Sequence, residues 1–481
     1  MWILGLSVVA GLVIYVFHKI FMLKNTKLSK RSSPPPGSMG LPFIGETIQF
    51  MIPSYSLDLH TFIKKRIKRF GPIFGTSLFG QPVVISTDPE FNSYLVQQEG
   101  KLVENFLGPL SNVFTQQSDN CEIYTADYIH KYFRCLTLSH VGAESIREKL
   151  LPQLEEMTKK TLHKWSTQTS IEVYESSSHM AFHFFAKHYF GYDAGKLPET
   201  GRIAEQLFTV LSKGSMTVPL NIPGTTFHKC LKEAKTTFTI MKRIVEEKRS
   251  SPENYQGDFL DQIINDKKVG KILTDDQTVY FVLGVWFATC LALSSLVTLF
   301  FKFLSEDPSV LEELRVEHEE IIKARDKPSS SLTWDEYKSM KFTQQVINEA
   351  LRFEVLFPGI LRTTIKDIQV KGYTIPAGWT IVLTTPTLHL NSKICDEDPL
   401  TFNPRRWKDL DSYTVSKNFK PFGGGSRQCP GAELTRASMA TFLHVLVTKF
   451  RWTKIREGNV VRNPMLGFGD GFHIKIWEKD T

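Results

Sequence analysis

The chain has 481 residues, 42% of them hydrophobic and 22% charged, with 35 phenylalanines and a net charge of +8. That balance describes a globular protein with a large apolar core, and the length admits either two or three average domains or one large one. The charge is mild and no basic stripe lies outside the N-terminal segment, which argues against nucleic acid as a partner. Six cysteines (121, 135, 230, 290, 395 and 429) are scattered without CxxC spacing. This argues against a disulfide framework and against zinc, and fits a reducing compartment.

The first 23 residues predict a membrane anchor. Trp2 to Phe17 is apolar apart from Ser7, and apolar character continues past His18-Lys19 to Leu23. That is long enough to span a bilayer, and it has neither the basic n-region nor the cleavage site of a removed signal peptide. Lys19, Lys24, Lys27, Lys30 and Arg31 follow, so positive-inside logic places the body in the cytosol. Residues 24–40 read as a basic, proline-rich linker, stiffened by Pro34-Pro35-Pro36-Gly37. Residues 41–481 form the body.

Ile73 to Leu78, a Phe79-Gly80 turn and Val83-Val84-Ile85 predict a β-hairpin. From Asp88 to about Lys248 helical patterns dominate, with breaks at Gly108-Pro109, Gly142 and Pro219 to Gly224. In Tyr128 to Arg134, His130 and Arg134 stand four apart on one helix face. Thr274-Asp275-Asp276 caps a long apolar helix over 277–305 that Asp307-Pro308 ends, and Pro308-Ser309 opens a charged helix through Lys323. Another helix is expected over 342–357, where Glu349 and Arg352 lie one turn apart. A β-rich segment with turns at Gly372, Pro376 and Gly378 covers 368–383, and Phe402-Asn403-Pro404-Arg405-Arg406-Trp407 precedes the most informative stretch of the chain.

That stretch is Phe422-Gly423-Gly424-Gly425-Ser426-Arg427-Gln428-Cys429-Pro430-Gly431. Glycines let a backbone approach a large flat cofactor closely. Arg427 offers a positive fork to a carboxylate at its edge. Cys429, backed by backbone N–H groups of the following turn, is expected to stay a thiolate and ligate iron.

The spacing Phe422, Gly425, Arg427, Cys429, Gly431 resembles the haem loop of the cytochrome P-450 family. The resemblance runs from about Pro35 to the C-terminus and implies one domain: a mainly α, large helical haem-thiolate fold with a minor β-rich region, preceded here by one transmembrane helix. It implies haem with Cys429 as the iron ligand and Phe422 beside it. His130, Arg134, Arg362 and Arg427 would face the haem propionates. Glu349, Arg352 and Arg406 would form a buried triad bracing the cysteine loop. Electrons would come from NADPH through a membrane-bound reductase, at the endoplasmic reticulum.

The chain departs from the family on the distal helix. There an acid followed by threonine usually relays protons for dioxygen activation. In Ala288-Thr289-Cys290-Leu291-Ala292-Leu293-Ser294-Ser295 those two positions hold Leu291 and Ala292. Neither side chain can donate or accept a proton, so water, Thr289, Ser294 or a substrate hydroxyl must serve. Residues 35–47, Asn221 to Thr226 and Lys371 to Trp379 resemble plant members acting on sterols and triterpenoids. A phenylalanine-rich chain at a lipid bilayer suits such a lipophilic small-molecule substrate. Val355, Leu356, Phe357, Ile360 and Leu361 would wall its site. Three classes stay open: a monooxygenase, a haem-thiolate isomerase or lyase needing no dioxygen activation, and a non-catalytic haem or sterol binder.

Overall fold

A computed structural model describes residue 16 and residues 33–106, 127–191, 221–266, 274–354, 356, 359–390, 394–395, 398–463 and 465–479. Apart from Val16, the expected membrane anchor lies outside the described residues, as do Cys121, Gly108-Pro109, Pro219, Val355 and Phe357. Most of the described residues are helical, and the helices pack around one of their own. Helix α6 (Asp275–Glu306) starts at Thr274, whose hydroxyl accepts from the N–H of Gln277 while Gln277 reaches back to the cap. Asp275 and Asp276 add negative charge in the first turn. The helix is apolar on nearly all sides, and such a helix belongs inside a core. Helix α4 (Val173–Phe190) packs along it, with Phe182 stacked on Trp286 at 4.2 Å and the Trp286 indole donating to the Phe182 carbonyl at 3.3 Å. Among the described residues, α6 is the one helix long and apolar enough to cross a membrane, and most of its apolar window is buried in the globule.

The other helices that frame the site are α1 (Pro89–Val96), α2 (Asp127–Val141), α3 (Leu151–Ser166), α5 (Thr226–Ser250), α7 (Pro308–Lys323), α8 (Lys341–Phe353) and α9 (Ala432–Lys449). Helix α8 stops at Phe353, four residues short of the expected end. Gly142 breaks the chain after α2 as expected, and residues 221–225 precede α5 without helix.

Among the described residues, six strands form one mixed sheet in the order β1-β2-β3-β7-β6-β4: β1 (Gly37–Ser38), β2 (Ile73–Leu78), β3 (Gln81–Ser86), β4 (Val103–Asn105), β6 (Ile360–Thr364) and β7 (Thr380–Leu383). The expected hairpin is β2–β3, paired from Ile73↔Ser86 to Leu78↔Gln81. Gly37 and Ser38 pair with Gly75 and Thr76, so the last part of the proline-rich stretch already belongs to the folded body. Strands β4 and β5 (Ile171–Glu172) interrupt the region that reads as helical; at three and two residues they are too short for alternation to register. Strand β5 joins a three-stranded sheet with β8 (Phe450–Glu457) and β9 (Phe472–Glu478).

Candidate active site

The glycines of the cysteine loop do what their positions require. Gly423 and Gly425 take φ of 71° and 69°, a region that side chains with a Cβ rarely adopt. A Cβ on Gly425 would also stand 2.5 Å from the Val96 carbonyl oxygen at the end of α1. The loop closes on itself: the Cys429 N–H donates to the Phe422 carbonyl at 3.0 Å, and Gln428 donates to Gly425 at 3.2 Å. Phe422 packs against the main core, and the Arg436 guanidinium lies 5.5 Å from its ring centre.

Cys429 stands three residues before α9, with its sulfur accepting from the N–H of Gly431, the residue that caps that helix. The residue is solvent-accessible, yet protein surrounds the sulfur on most sides. Burial therefore pushes the thiol pKa up, more than the Gly431 N–H and the Arg134 charge pull it down, and the Glu354 carboxyl adds to the rise. A bound iron cation in place of the proton would favour the thiolate expected from sequence.

Arg134 on α2 donates to the Gln428 carbonyl, next to Cys429. His130, one turn earlier, is half-buried. Arg362 on β6 and Arg427 on the loop meet on one carboxylate, Glu99: Arg362 Nε stands 2.7 Å from Oε2, and Arg427 Nε donates to Oε1 at 3.1 Å. Glu99 escapes a sequence reading, since it lies in a turn with no motif around it.

The brace is complete. Arg352 grips Glu349 through Nη2 at 2.8 Å and Nε at 3.1 Å, and Arg406 Nε reaches the same carboxylate at 3.2 Å. Glu349 and the Arg352 side chain are fully buried. Two further donors were not foreseen: the Trp407 indole at 2.8 Å and the Asn403 N–H at 3.0 Å. Arg352 also ties down the Pro399 and Thr401 carbonyls. A carboxylate with this many donors offsets the cost of its own burial.

Along α6, Phe281, Gly284, Val285, Ala288, Thr289 and Ala292 keep accessible surface while their neighbours are buried. They recur at helical spacing and mark one open face. A Cβ built on Gly284 would meet nothing within 4 Å. Ala292 lies on this face; Leu291 is 4% exposed and packs into the core. The Thr289 hydroxyl donates to the Val285 carbonyl at 2.8 Å and is hydrogen-bonded to Tyr189. Ser294 is fully buried, and its hydroxyl donates to the Cys290 carbonyl, so of the two candidate substitutes Thr289 alone borders the open face. Of the expected apolar wall, Ile360 touches the loop, its Cδ1 lying 3.7 Å from a Cβ built on Gly423. Leu361 packs with the β2–β3 cluster, and Leu356 packs on the main core.

These residues suit a haem. An accessible sulfur, a loop that tolerates close approach, arginines near it and an open small-residue face on α6 are what a flat dicarboxylate metal cofactor needs. The comparisons agree. The family profile described as Cytochrome P450 matches residues 34–471. The chain is 46% identical to a cucurbitadienol 11-hydroxylase of Siraitia grosvenorii and 43% identical to a beta-amyrin 16-alpha-hydroxylase of Maesa lanceolata, in both cases over 100% of each chain. It is 35% identical to a cholesterol 22-hydroxylase of Paris polyphylla, covering 98% of this chain and 96% of that one. The retinoic acid-bound cyanobacterial CYP120A1 has the same fold at a TM-score of 0.81 and 25% identity, over 93% of this chain and 100% of that one. With the loop, its brace and the open helix face in register with a match spanning most of its length, this chain belongs to the cytochrome P450 family of haem-dependent monooxygenases.

Proposed function

We propose that the protein hydroxylates a triterpenoid or sterol, with Cys429 as the iron ligand. The observation that carries this reading is full-length identity of 46% and 43% to two triterpenoid hydroxylases, in a chain whose Cys429 stands accessible on the haem loop. Bound haem supplies dioxygen activation; the chain's residues hold the cofactor, shape the pocket and move protons. Arg134, Arg362 and Arg427, with His130, would take the haem carboxylates. The small side chains at Gly284, Ala288 and Ala292 leave space above for a rigid, bulky substrate, and Ile360 borders it from the loop side.

Electrons would come from NADPH through a membrane-bound reductase, and the enzyme would sit on the endoplasmic reticulum with its body in the cytosol, as residues 1–23, 24–40 and 41–481 divide into anchor, linker and catalytic domain. The exposed apolar side chains Leu41, Phe43, Ile44, Ile48 and Ile52 follow directly on the linker and support membrane contact. Hydroxylation, repeated side-chain oxidation and C–C cleavage are all compatible with this site.

The test uses purified full-length protein, a reductase and NADPH, with triterpenes and sterols supplied separately. Substrate-dependent NADPH consumption with a hydroxylated product is expected. Turnover of a hydroperoxide without NADPH would instead mark an isomerase or lyase, the reading that Leu291 and Ala292 favour. Substrate binding without any turnover would mark a non-catalytic binder.

A further inference from the structure

One short segment stitches the cysteine loop to the β-sheet. Val96 lies under Gly424 and Gly425, its Cγ1 3.3 Å and 3.0 Å from Cβ atoms built on them. Asn105, on β4, pairs with Arg362 on β6, and its Oδ1 accepts from Arg362 Nη1 at 3.3 Å. Between them, Glu99 holds Arg362 and Arg427 together. The three side chains are 9%, 3% and 9% exposed. Glu99 Oε2 and Arg362 Nε form an ion pair at 2.7 Å inside this cluster.

A single carboxylate between two guanidiniums leaves the cluster with one excess positive charge, and Arg134 adds another beside Cys429. Burial and the neighbouring Arg427 both work against the charge on Arg362, and Glu99 works for it. Two buried guanidiniums with no carboxylate between them would repel each other and turn toward water.

We propose that Glu99 is a positioning residue that sets Arg362 and Arg427 side by side, as a prearranged pair of donors for the two carboxylates at the haem edge. The proposal rests on the haem-thiolate reading above. A site whose cations are ordered before the ligand arrives spends less of its binding energy on ordering them. The opposite effect also exists, because Glu99 repels the haem carboxylates, and the two make opposite predictions for haem retention.

Glu99→Gln keeps the size and removes the charge. It is expected to fold, by far-UV melting, and to lose haem to excess apomyoglobin at least about tenfold faster than the wild type. Its ferric–ferrous midpoint potential should rise, since a negative charge beside the two arginines that would hold the haem carboxylates is gone. Haem loss at the wild-type rate or slower would overturn the proposal, leaving Glu99 as a counter-charge only. Should Glu99→Gln fail to fold, Glu99→Asp, which is too short to reach both guanidiniums, is read by the same criterion. Failure of the underlying reading shows separately, in wild-type protein whose reduced carbon monoxide complex lacks the thiolate absorption band.

Discussion

Trp407 donates its indole N–H to Glu349 at 2.8 Å and packs its ring against Phe419 at 4.5 Å, three residues before Phe422 opens the cysteine loop. The buried brace and the metal-ligand loop are therefore mechanically continuous. Lys420 adds a second tie, its N–H donating to His389 Nε2 at 3.1 Å. His389 must be neutral to accept it, and burial holds its pKa at about 3.

That continuity sets the expected effect of breaking the brace. Glu349→Ala or Arg352→Ala strands a buried charge, a loss of about 3–5 kcal/mol. Haem-free or aggregated protein is expected. Trp407→Phe keeps the ring and loses one hydrogen bond to a carboxylate, about 1.5–3 kcal/mol, and should yield folded protein with partial haem content. Urea melts with a haem-to-protein absorbance ratio check both. A Glu349→Ala protein that loads haem fully would show the brace to be dispensable.

Cys429→Ala should abolish the thiolate-shifted Soret band of the reduced carbon monoxide complex and all turnover, because no other thiol in the described residues stands on the loop. Cys230→Ala and Cys395→Ala should keep the band, since both thiols are buried elsewhere in the fold. A band surviving Cys429→Ala would remove the basis of the assignment.

What could be read from the sequence is what depends on near neighbours in the chain. The α6 caps, the β2–β3 hairpin, the loop glycines and the Glu349–Arg352 pair each declare themselves within a few residues. Glu99 does not, because its partners lie at 362 and 427 and only folding joins them. Trp407 was visible as part of its motif, but its donor role depends on which way the indole turns. At Cys429 the sequence shows the nearby N–H groups and cation but not the desolvation that works against them.

Glu354 gives a pH test. It lies just past α8, buried, with Oε1 lacking a hydrogen-bond partner, and burial raises its pKa well above the usual carboxylate range against the pull of Arg462. The folded protein thus keeps a proton that the unfolded chain releases near pH 4.3. Its contribution is whole below that pH and is lost as pH rises toward the folded value, at up to about 1.4 kcal/mol per pH unit. Glu354→Gln, fixed in the neutral form, should gain on the wild type steadily from pH 5 to pH 7. Urea midpoints across that range measure it, and a pH-independent difference would mean that Glu354 is charged in the fold.

Removing residues 1–31 should release much of the protein from membranes without loss of haem, since every residue placed in the site lies after them. Membrane pelleting and haem content of the truncated protein decide it. Loss of haem on truncation would mean that this segment packs into the folded body.

The distal helix carries the last prediction. Ala292 borders the open face without a proton to give, and Leu291 faces the core. Thr289 borders that face too, but its hydroxyl is engaged with the Val285 carbonyl and with Tyr189. Proton delivery by side chains of α6 is therefore weak, and two outcomes follow. Either reducing equivalents leak as peroxide, or a substrate hydroxyl held near Ala292 completes the relay. Restoring the pair with Leu291→Glu and Ala292→Thr separates them. Burying a new carboxylate at position 291 is costly, so Ala292→Thr alone serves as the second variant. If the relay is missing, peroxide formed per NADPH consumed should fall in Ala292→Thr, or the product pattern on the native substrate should shift. Leakage and products identical to the wild type would show that protons already arrive by another route, with the substrate's own hydroxyl the first group to test by its removal.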